Sequence, residues 1–155
     1  MQQALPKAAA GVLERVEDGP WAGWARWTND PFTDKAGPFF VRWDEAGDPI
    51  CAFRTDEGHM NASTGLHGGC MMAFADFAVF MLAWKALGAD GAVTASFSGD
   101  FLGTVGPGKL VECRGEIVKA GRSMIFVRGL ISSGPERIMS FQAVMKKTRL
   151  SGVRA

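Results

Sequence analysis

The strongest feature of the hydropathy pattern is a long apolar run in the middle of the chain. From Cys70 to Trp84 the only ionisable side chain besides the thiol is that of Asp76. A run that is apolar on every side is typical of a helix enclosed by protein or by lipid. The aspartate near its middle and the lack of a flanking basic cluster argue against a membrane span. We therefore predict a buried central helix.

Shorter segments with the character of β-strands lie on both sides of this run. Residues 39–43 and 49–54 flank a turn and predict a hairpin ahead of the helix. Behind the helix, turn-rich spacers separate four further strand-like segments: 92–102, 109–119, 124–132 and 137–147. Consecutive strands joined by short turns are typical of an antiparallel meander. The order predicts an α+β fold in which a curved antiparallel sheet wraps one long helix.

The chain ahead of the hairpin has the pattern of a peripheral segment. Leu5–Val16 predicts a short helix that packs as a flap over the core, and Gly19-Pro20 ends it. An irregular stretch rich in large rings follows, with Trp21, Trp24 and Trp27. We favour a packing role for these indoles over a role in lining an apolar pocket. The expected parts of the chain are a packing segment at 1–36, a central domain at 37–148 and a tail at 149–155.

Composition narrows the class of protein. A chain of 155 residues fits one domain with a sizeable core. A formal net charge of +1 without a basic block gives no electrostatic footprint for nucleic acid. Three widely spaced cysteines lack a zinc-site or CxxC pattern, and Met1–Val16 lacks the apolar core of a secretory signal. We expect a cytoplasmic protein with reduced thiols that binds neither nucleic acid nor a membrane.

The junction between the glycines and the apolar run carries candidate chemistry. Gly68 and Gly69 let the backbone approach a ligand closely, and the first turn of a helix has N–H groups without internal partners. Such a helix end attracts an oxygen that carries negative charge. Asp76 lies further along the same helix, where an unpaired buried carboxylate is costly. A protein retains such a carboxylate when the carboxylate is paired with another group or takes part in binding or catalysis.

The spacing of these groups predicts how a site would be assembled. Gly68 and Asp76 are eight residues apart in sequence, which is roughly 12 Å along a helix axis. This distance is too long for the N-terminal N–H groups and the carboxylate of one helix to act on the same carbonyl carbon. If both groups are catalytic, two copies of the chain must contribute, as a two-fold dimer allows.

The same residues resemble the motif of a known family. The chain from about Gly37 to Lys147 is similar to hotdog-fold thioesterases of the PaaI-like branch of the thioesterase superfamily. The residues that carry the resemblance are Asn61, Gly65, His67, Gly68, Gly69, Asp76 and Thr94, with Gly121-Arg122 in a late turn. The resemblance implies a hotdog fold and hydrolysis of acyl-CoA thioesters at a dimer interface. It also implies a tetramer of two dimers and no metal or organic cofactor, since coenzyme A is part of the substrate.

The resemblance further assigns roles to individual residues. It implies that the Gly68 N–H polarises the thioester carbonyl, which agrees with the need of a tetrahedral oxyanion for a preorganised donor. Asp76 would act as general base or as nucleophile, and these two roles remain open. Thr94 would lie near the carboxylate and help to place a water molecule. Asn61 and His67 would hold the loop and the oxyanion donor in position.

The remaining candidates concern contacts with the rest of the substrate. Those near the helix N-terminus are His59, Gly69 and Met72, of which His59 is equally well explained as a surface residue. Those in the turn between two late strands are Lys119, Arg122 and Ser123. This turn either meets the phosphates of coenzyme A or is an ordinary solvated turn. Cys70 is disfavoured as a nucleophile, because no cysteine-enzyme signature surrounds it.

Two other functions are compatible with the same fold. A non-catalytic acyl-CoA-binding protein would keep the fold and the ligand. A hotdog hydratase that acts on enoyl thioesters would need a different arrangement of aspartate and histidine. Release of free coenzyme A distinguishes hydrolysis from both.

Overall fold

The computed structural model of the chain describes residues 12–148, which form one sheet and two helices. The strands are β1 (Leu13–Arg15), β2 (Ala25–Trp27), β3 (Phe40–Trp43), β4 (Pro49–Arg54), β5 (Gly91–Phe101), β6 (Leu110–Ala120), β7 (Met124–Ser133) and β8 (Glu136–Thr148). The helices are α1 (Pro31–Ala36) and α2 (Gly68–Leu87), and short 3-10 turns lie at Gly19–Trp21 and Glu57–His59. The predicted tail at 149–155 lies outside the described residues.

All pairs of neighbouring strands in the sheet are antiparallel. The order across its eight strands is β1-β2-β3-β4-β6-β7-β8-β5, and buried residues of the central strands pack against α2. The predicted α+β hotdog fold, one long helix against an antiparallel sheet, is therefore confirmed. The hairpin before α2 is also present, because β3 pairs with β4.

The prediction of a simple meander after α2 is wrong at one step. β5 pairs with β8 and not with β6, so the chain crosses the sheet between β5 and β6. The crossing loop is held by backbone hydrogen bonds: Leu66 donates to the carbonyl of Val105, and Thr55 and Gly108 bond across its far end. A loop rich in glycine and proline looks like a turn in sequence, whether it joins adjacent strands or distant ones.

The helix packs closely on the sheet where the strands carry glycine. Gly115 of β6 and Gly129 of β7 are register partners beneath α2. A Cβ atom on Gly115 would lie 2.8 Å from Cδ1 of Leu82, which is too close for a side chain. At the other end of α2, Gly88 has a φ of 57° and ends the helix, in a conformation that favours glycine.

The prediction that α2 is buried on every side is wrong for the first half of the helix. By length and composition α2 could cross a membrane, but 61% of its most apolar window is buried within the structure. The sheet covers only one side of it. Gly69, Met72 and Asp76 are exposed, and their spacing places them on one helix face. An apolar helix therefore presents an open face that carries a carboxylate.

The predicted helix at Leu5–Val16 is wrong where the structure describes it. Leu13–Arg15 forms β1, which pairs with β2, and the part of the prediction before residue 12 lies outside the described residues. Leu13 is buried while Glu14 is exposed and bonds to Arg26 on the neighbouring strand. This alternation of period two outweighs the helical propensity of an alanine-rich stretch, because strand pairing extends the sheet.

Candidate active site

The N-terminus of α2 is built by its capping residue. Nδ1 of His67 accepts the N–H of Gly69 at 2.8 Å, and the carbonyl of His67 accepts the N–H of Met71 at 3.1 Å. Because Nδ1 accepts, the proton of this neutral imidazole lies on Nε2. Among the described residues no group accepts the N–H of Gly68. The N–H of Cys70 likewise has no acceptor there, so the helix presents two unpaired backbone donors, one of them at Gly68, the residue predicted as the oxyanion donor.

Asn61, which was predicted to hold the loop before the helix, and His59 both bond within this loop. Oδ1 of Asn61 accepts the N–H groups of Ser63 and Gly65 at 2.9 and 3.2 Å, so Asn61 closes a local turn. His59 is only 7% exposed, and its backbone carbonyl accepts the N–H of His67 at 2.9 Å. Both residues fix the entry into α2.

The ring of His59 connects two further segments of the chain. Its Nδ1 accepts the N–H of Asp56 at 2.9 Å, and Nε2 lies 3.1 Å from the carbonyl oxygen of Gly37. His59 is therefore a buried residue, not a surface residue, and its ring connects the 3-10 turn with the end of α1. It also lines a cavity of about 520 Å³ at the N-terminus of α2, together with His67, Gly69 and Cys70.

Asp76 and Thr94 meet across the open face of α2. The Thr94 hydroxyl donates to Oδ1 of Asp76 at 2.7 Å. No other described group bonds to the Asp76 carboxylate, so Oδ2 remains available to a ligand or to water. The proximity predicted for these two side chains is present in a single chain, and the carboxylate is exposed where burial was expected.

A cavity of about 280 Å³ opens beside the Asp76 carboxylate. Its aromatic lining is Trp27, Phe32, Phe77 and Phe80. The sequence favours a packing role for the tryptophans, but Trp27 both packs on α2 and lines this cavity. Phe32 was missed altogether. In the sequence, Phe32 stands out as a large apolar residue beside Pro31 in a polar stretch. In the structure it is 65% exposed.

One chain does not bring the predicted donor and the carboxylate together. A Cβ atom on Gly68 would lie 3.3 Å from Cε1 of Phe101, at the last residue of β5. Asp76 bonds to Thr94, near the first residue of the same strand. Seven residues of extended chain separate Thr94 from Phe101, roughly 20 Å. The N–H of Gly68 and the carboxylate of Asp76 therefore lie near opposite ends of β5.

The other predicted contact residues lie on the open face of α2 or at the turn between β6 and β7. Met72 is exposed on the same face of α2 as Asp76. Lys119, Arg122 and Ser123 are exposed at the turn between β6 and β7. Residues 12–148 contain no cluster of three His, Cys, Asp or Glu side chains that could hold a metal ion.

The surroundings of Cys70 disfavour a role as nucleophile. Burial of the thiol, with a smaller contribution from the nearby carboxylate of Asp56, raises the pKa of Cys70 to about 11. Its Sγ lies 3.6 Å from the carbonyl oxygen of Ala36, to which the thiol donates. The thiolate is the reactive form of cysteine, and it is scarce at neutral pH when the pKa is raised.

We expect Cys70→Ala to leave acyl-CoA turnover unchanged. The substitution removes a protonated thiol and keeps helical propensity in the first turn of α2. Thiol release from an acyl-CoA, compared with wild type at matched protein concentration, checks this. Loss of turnover in a variant with an unchanged circular dichroism spectrum would contradict it.

The segment that carries these groups is similar to a known family. The family model of the thioesterase superfamily matches residues 65–140. This segment includes the N-terminus of α2, Asp76 and Thr94. A comparison with curated proteins found no similar sequence.

Solved structures share the fold over most of the chain. The TT0310 protein of Thermus thermophilus has 26% sequence identity and a TM-score of 0.67, covering 78% of this chain and 100% of its own. The Escherichia coli PaaI protein from the phenylacetic acid degradation operon has 16% identity and a TM-score of 0.66, covering 77% and 86%. A hypothetical thioesterase from Streptococcus pneumoniae, solved with coenzyme A, has 16% identity and a TM-score of 0.63, covering 72% and 86%. The chain is therefore a hotdog-fold protein whose residues 65–140 match the thioesterase superfamily, which confirms its resemblance to the PaaI-like thioesterases.

Proposed function

We propose that the protein is an acyl-CoA thioesterase, which hydrolyses a CoA thioester to free coenzyme A and a carboxylic acid. The observation that carries the proposal is the Asp76 carboxylate, which is held by Thr94 on an otherwise apolar helix beside an aromatic cavity. The superfamily match supports the reaction class. The coenzyme A in the Streptococcus pneumoniae structure supports the choice of carrier.

The chemistry follows from the two groups at the ends of β5. The unpaired N–H of Gly68 donates to the thioester carbonyl oxygen and stabilises the negative charge that develops there. Oδ2 of Asp76 takes a proton from a water molecule as the water oxygen attacks the carbonyl carbon. The carbon–sulfur bond then breaks, and coenzyme A leaves as a thiolate that is protonated to the thiol. The hydrogen bond from Thr94 occupies Oδ1 and orients the free oxygen that would take this proton.

The free edge of β5 supports a site shared by two copies. β5 lies at one end of the sheet order, so its outer edge has no partner strand among the described residues. The strand has 11 residues, and Val93 and Phe101 on it are each 53% exposed. A long, apolar, unprotected edge is a template for pairing with another chain.

Antiparallel pairing of β5 with its copy would complete the site twice. Ala95 is skipped at the irregularity of this strand, so Thr94 and Phe101 each lie three paired positions from Ser98. In a register with Ser98 on the two-fold axis, Thr94 of one copy would therefore lie opposite Phe101 of the other. The register irregularity between Thr94 and Ser96 matters here, because the bulge keeps Thr94 on the same sheet face as Phe101. Asp76 bonds to Thr94 and Gly68 packs on Phe101. Each dimer would therefore hold two sites, each with a donor from one copy and a carboxylate from the other.

The basic turn between β6 and β7 is the proposed contact for the phosphates of coenzyme A. Lys119 and Arg122 are exposed, and Ser123 adds a hydroxyl donor beside them. Basic side chains bind phosphate through charge-assisted hydrogen bonds. We also propose that two such dimers associate into a tetramer.

Thiol release from a panel of acyl-CoAs tests the reaction itself. The panel spans short, medium, long and aryl acyl groups, and free coenzyme A is measured against the acid formed. Equal amounts of both products support hydrolysis. Binding without thiol release would favour the non-catalytic acyl-CoA-binding protein, and hydration of an enoyl-CoA without thiol release would favour the hydratase.

A mixing experiment tests whether the site is shared. Gly68→Pro lacks the donor and Asp76→Asn lacks the base, so each variant alone should be nearly inactive. In a mixed dimer one site carries both defects and the other carries neither. After dissociation and reassembly of an equal mixture, we expect about a quarter of the wild-type rate, because half of the dimers are mixed and each has one intact site. If the rate of the reassembled mixture does not exceed the sum of the rates of the two separate variants, the site is not shared.

A further inference from the structure

The cavity beside Asp76 takes part of its wall from outside the segment that matches the superfamily. Phe77 and Phe80 belong to α2, but Trp27 belongs to β2 and Phe32 to α1. The match to the superfamily begins only at residue 65. The N-terminal part of the chain therefore shapes the space next to the proposed catalytic carboxylate.

Trp27 forms a rigid wall of this cavity. Its ring meets Phe77, Phe80 and Trp84 edge-on, at centroid distances of 6.3, 6.1 and 6.3 Å. Its backbone is fixed as well, because Trp27 pairs with Leu13 in the sheet. Edge-to-face contacts with several rings hold an indole in one orientation. A ligand in the cavity cannot displace this ring without breaking the packing on α2.

Two polar residues of the cavity lining, Asp30 and Thr33, bond to each other. Oδ1 of Asp30 accepts the N–H of Thr33 and caps α1, and the hydroxyl of Thr33 donates to the carbonyl of Asp30. Next to the Asp76 carboxylate, the cavity thus offers aromatic surface to an apolar group. One ligand could place its thioester at the Asp76 carboxylate and its apolar group in the cavity. An acyl chain joined to its carrier is such a ligand.

The volume of the cavity limits that acyl group. A space of about 280 Å³ equals about nine water molecules at about 30 Å³ each, which suits an acyl group of about nine non-hydrogen atoms. A single ring or a short branched or linear chain has this bulk. A long fatty acyl chain exceeds this volume.

We infer that Trp27 is a specificity-determining residue, which closes the acyl cavity and restricts the enzyme to compact apolar acyl groups. This inference rests on the proposed thioesterase function, with Asp76 as the group that faces the thioester. It assigns the choice of acyl group to the N-terminal segment, while the reaction depends on α2 and β5.

Two substitutions change the cavity in opposite directions. Trp27→Ala removes the wall and lengthens the cavity. Ala73→Leu adds bulk inside it, because Ala73 lines the cavity from the half-buried side of α2. Trp24→Ala is the matched control: this indole lies in the same segment and contacts Trp21 and Arg42, but does not line the cavity.

The measurement is kcat/KM for thiol release across saturated acyl-CoAs from acetyl to palmitoyl, with benzoyl and naphthoyl as one-ring and two-ring probes. We expect wild type to prefer compact groups and Trp27→Ala to move the maximum toward longer chains and naphthoyl. A change of about tenfold or more in the long-to-short ratio is expected, since pocket contacts of one or a few methylenes discriminate to this extent. Ala73→Leu should move the maximum toward shorter chains, and Trp24→Ala should keep the wild-type profile.

The outcomes separate this inference from the function on which it rests. If wild type releases no thiol from any acyl-CoA, the proposed function fails and the inference fails with it. If wild type is active but neither cavity variant changes the profile, only the inference is contradicted. A uniform fall at every chain length in Trp27→Ala, with no shift in Ala73→Leu, would make Trp27 a structural residue. Because Ala73→Leu keeps a good helix former on α2, it tests the inference even if Trp27→Ala unfolds.

Discussion

Asp76→Asn should lower kcat for acyl-CoA hydrolysis by about 10²–10⁴-fold, the usual contribution of a general base. The amide has the shape of the carboxylate, and its oxygen can still accept the Thr94 hydroxyl that now lies 2.7 Å away. It cannot take a proton from water. Because the side chain is exposed and makes no other bond among the described residues, the fold should be unaffected. Thiol release under saturating acyl-CoA measures the effect.

A second aspartate provides the control for this experiment. Asp48 is also exposed, and among the described residues its side chain makes one contact, a 3.6 Å ion pair with Lys85 on the surface. Asp48→Asn should retain the wild-type rate, since surface ion pairs contribute little. Thermal unfolding should be similar for both variants. An Asp76→Asn protein that hydrolyses acyl-CoA at the rate of Asp48→Asn would remove Asp76 from the mechanism.

Gly68→Pro should lower kcat by about 10²–10³-fold, the usual effect of losing one oxyanion donor. Proline lacks the backbone N–H, and Gly68 is the first residue of α2, where proline is well tolerated. The preceding residue is already suitable, because His67 has φ −64° and ψ 132°, the extended conformation that proline requires before it. The substitution therefore deletes the proposed donor and leaves the helix intact.

Gly68→Ala separates the loss of the donor from a steric effect. It introduces the same Cβ atom, 3.3 Å from Cε1 of Phe101, but keeps the N–H. The ring of Phe101 is 53% exposed and can yield to this atom. We expect Gly68→Ala to retain most of the wild-type kcat. Equal losses in the alanine and proline variants would assign the effect to the contact with Phe101 and contradict the role of the N–H.

Local patterns predicted the elements that form the centre of the fold. The apolar run predicted α2 because a helix of this composition needs protein around it. The glycines before it predicted the unpaired N–H at Gly68, and the resemblance to thioesterases predicted that Thr94 lies near Asp76. These features depend on residues close in sequence, or on a motif whose spacing is preserved.

Features that depend on long-range pairing were not predictable in the same way. The crossing from β5 to β6 could not be read from a glycine-rich loop, because such a loop also fits a hairpin. The exposure of Asp76 depends on which side of α2 the sheet leaves open. The role of Trp27 beside the cavity depends on the pairing of β2 with β3, which no local pattern predicted.

The pairing of β5 with β8 also determines when the site can form during synthesis. Among the described residues β8 is the only strand partner of β5, although β5 is made well before it. Until β8 leaves the ribosome, the strand that carries Thr94 has no neighbour to hold it against α2. The apolar edge of β5 therefore becomes ordered only when nearly the whole chain is available. A nascent or truncated chain that lacks β8 therefore contains all of the residues to which we assign roles in the chemistry. It lacks the strand that positions Thr94 next to Asp76.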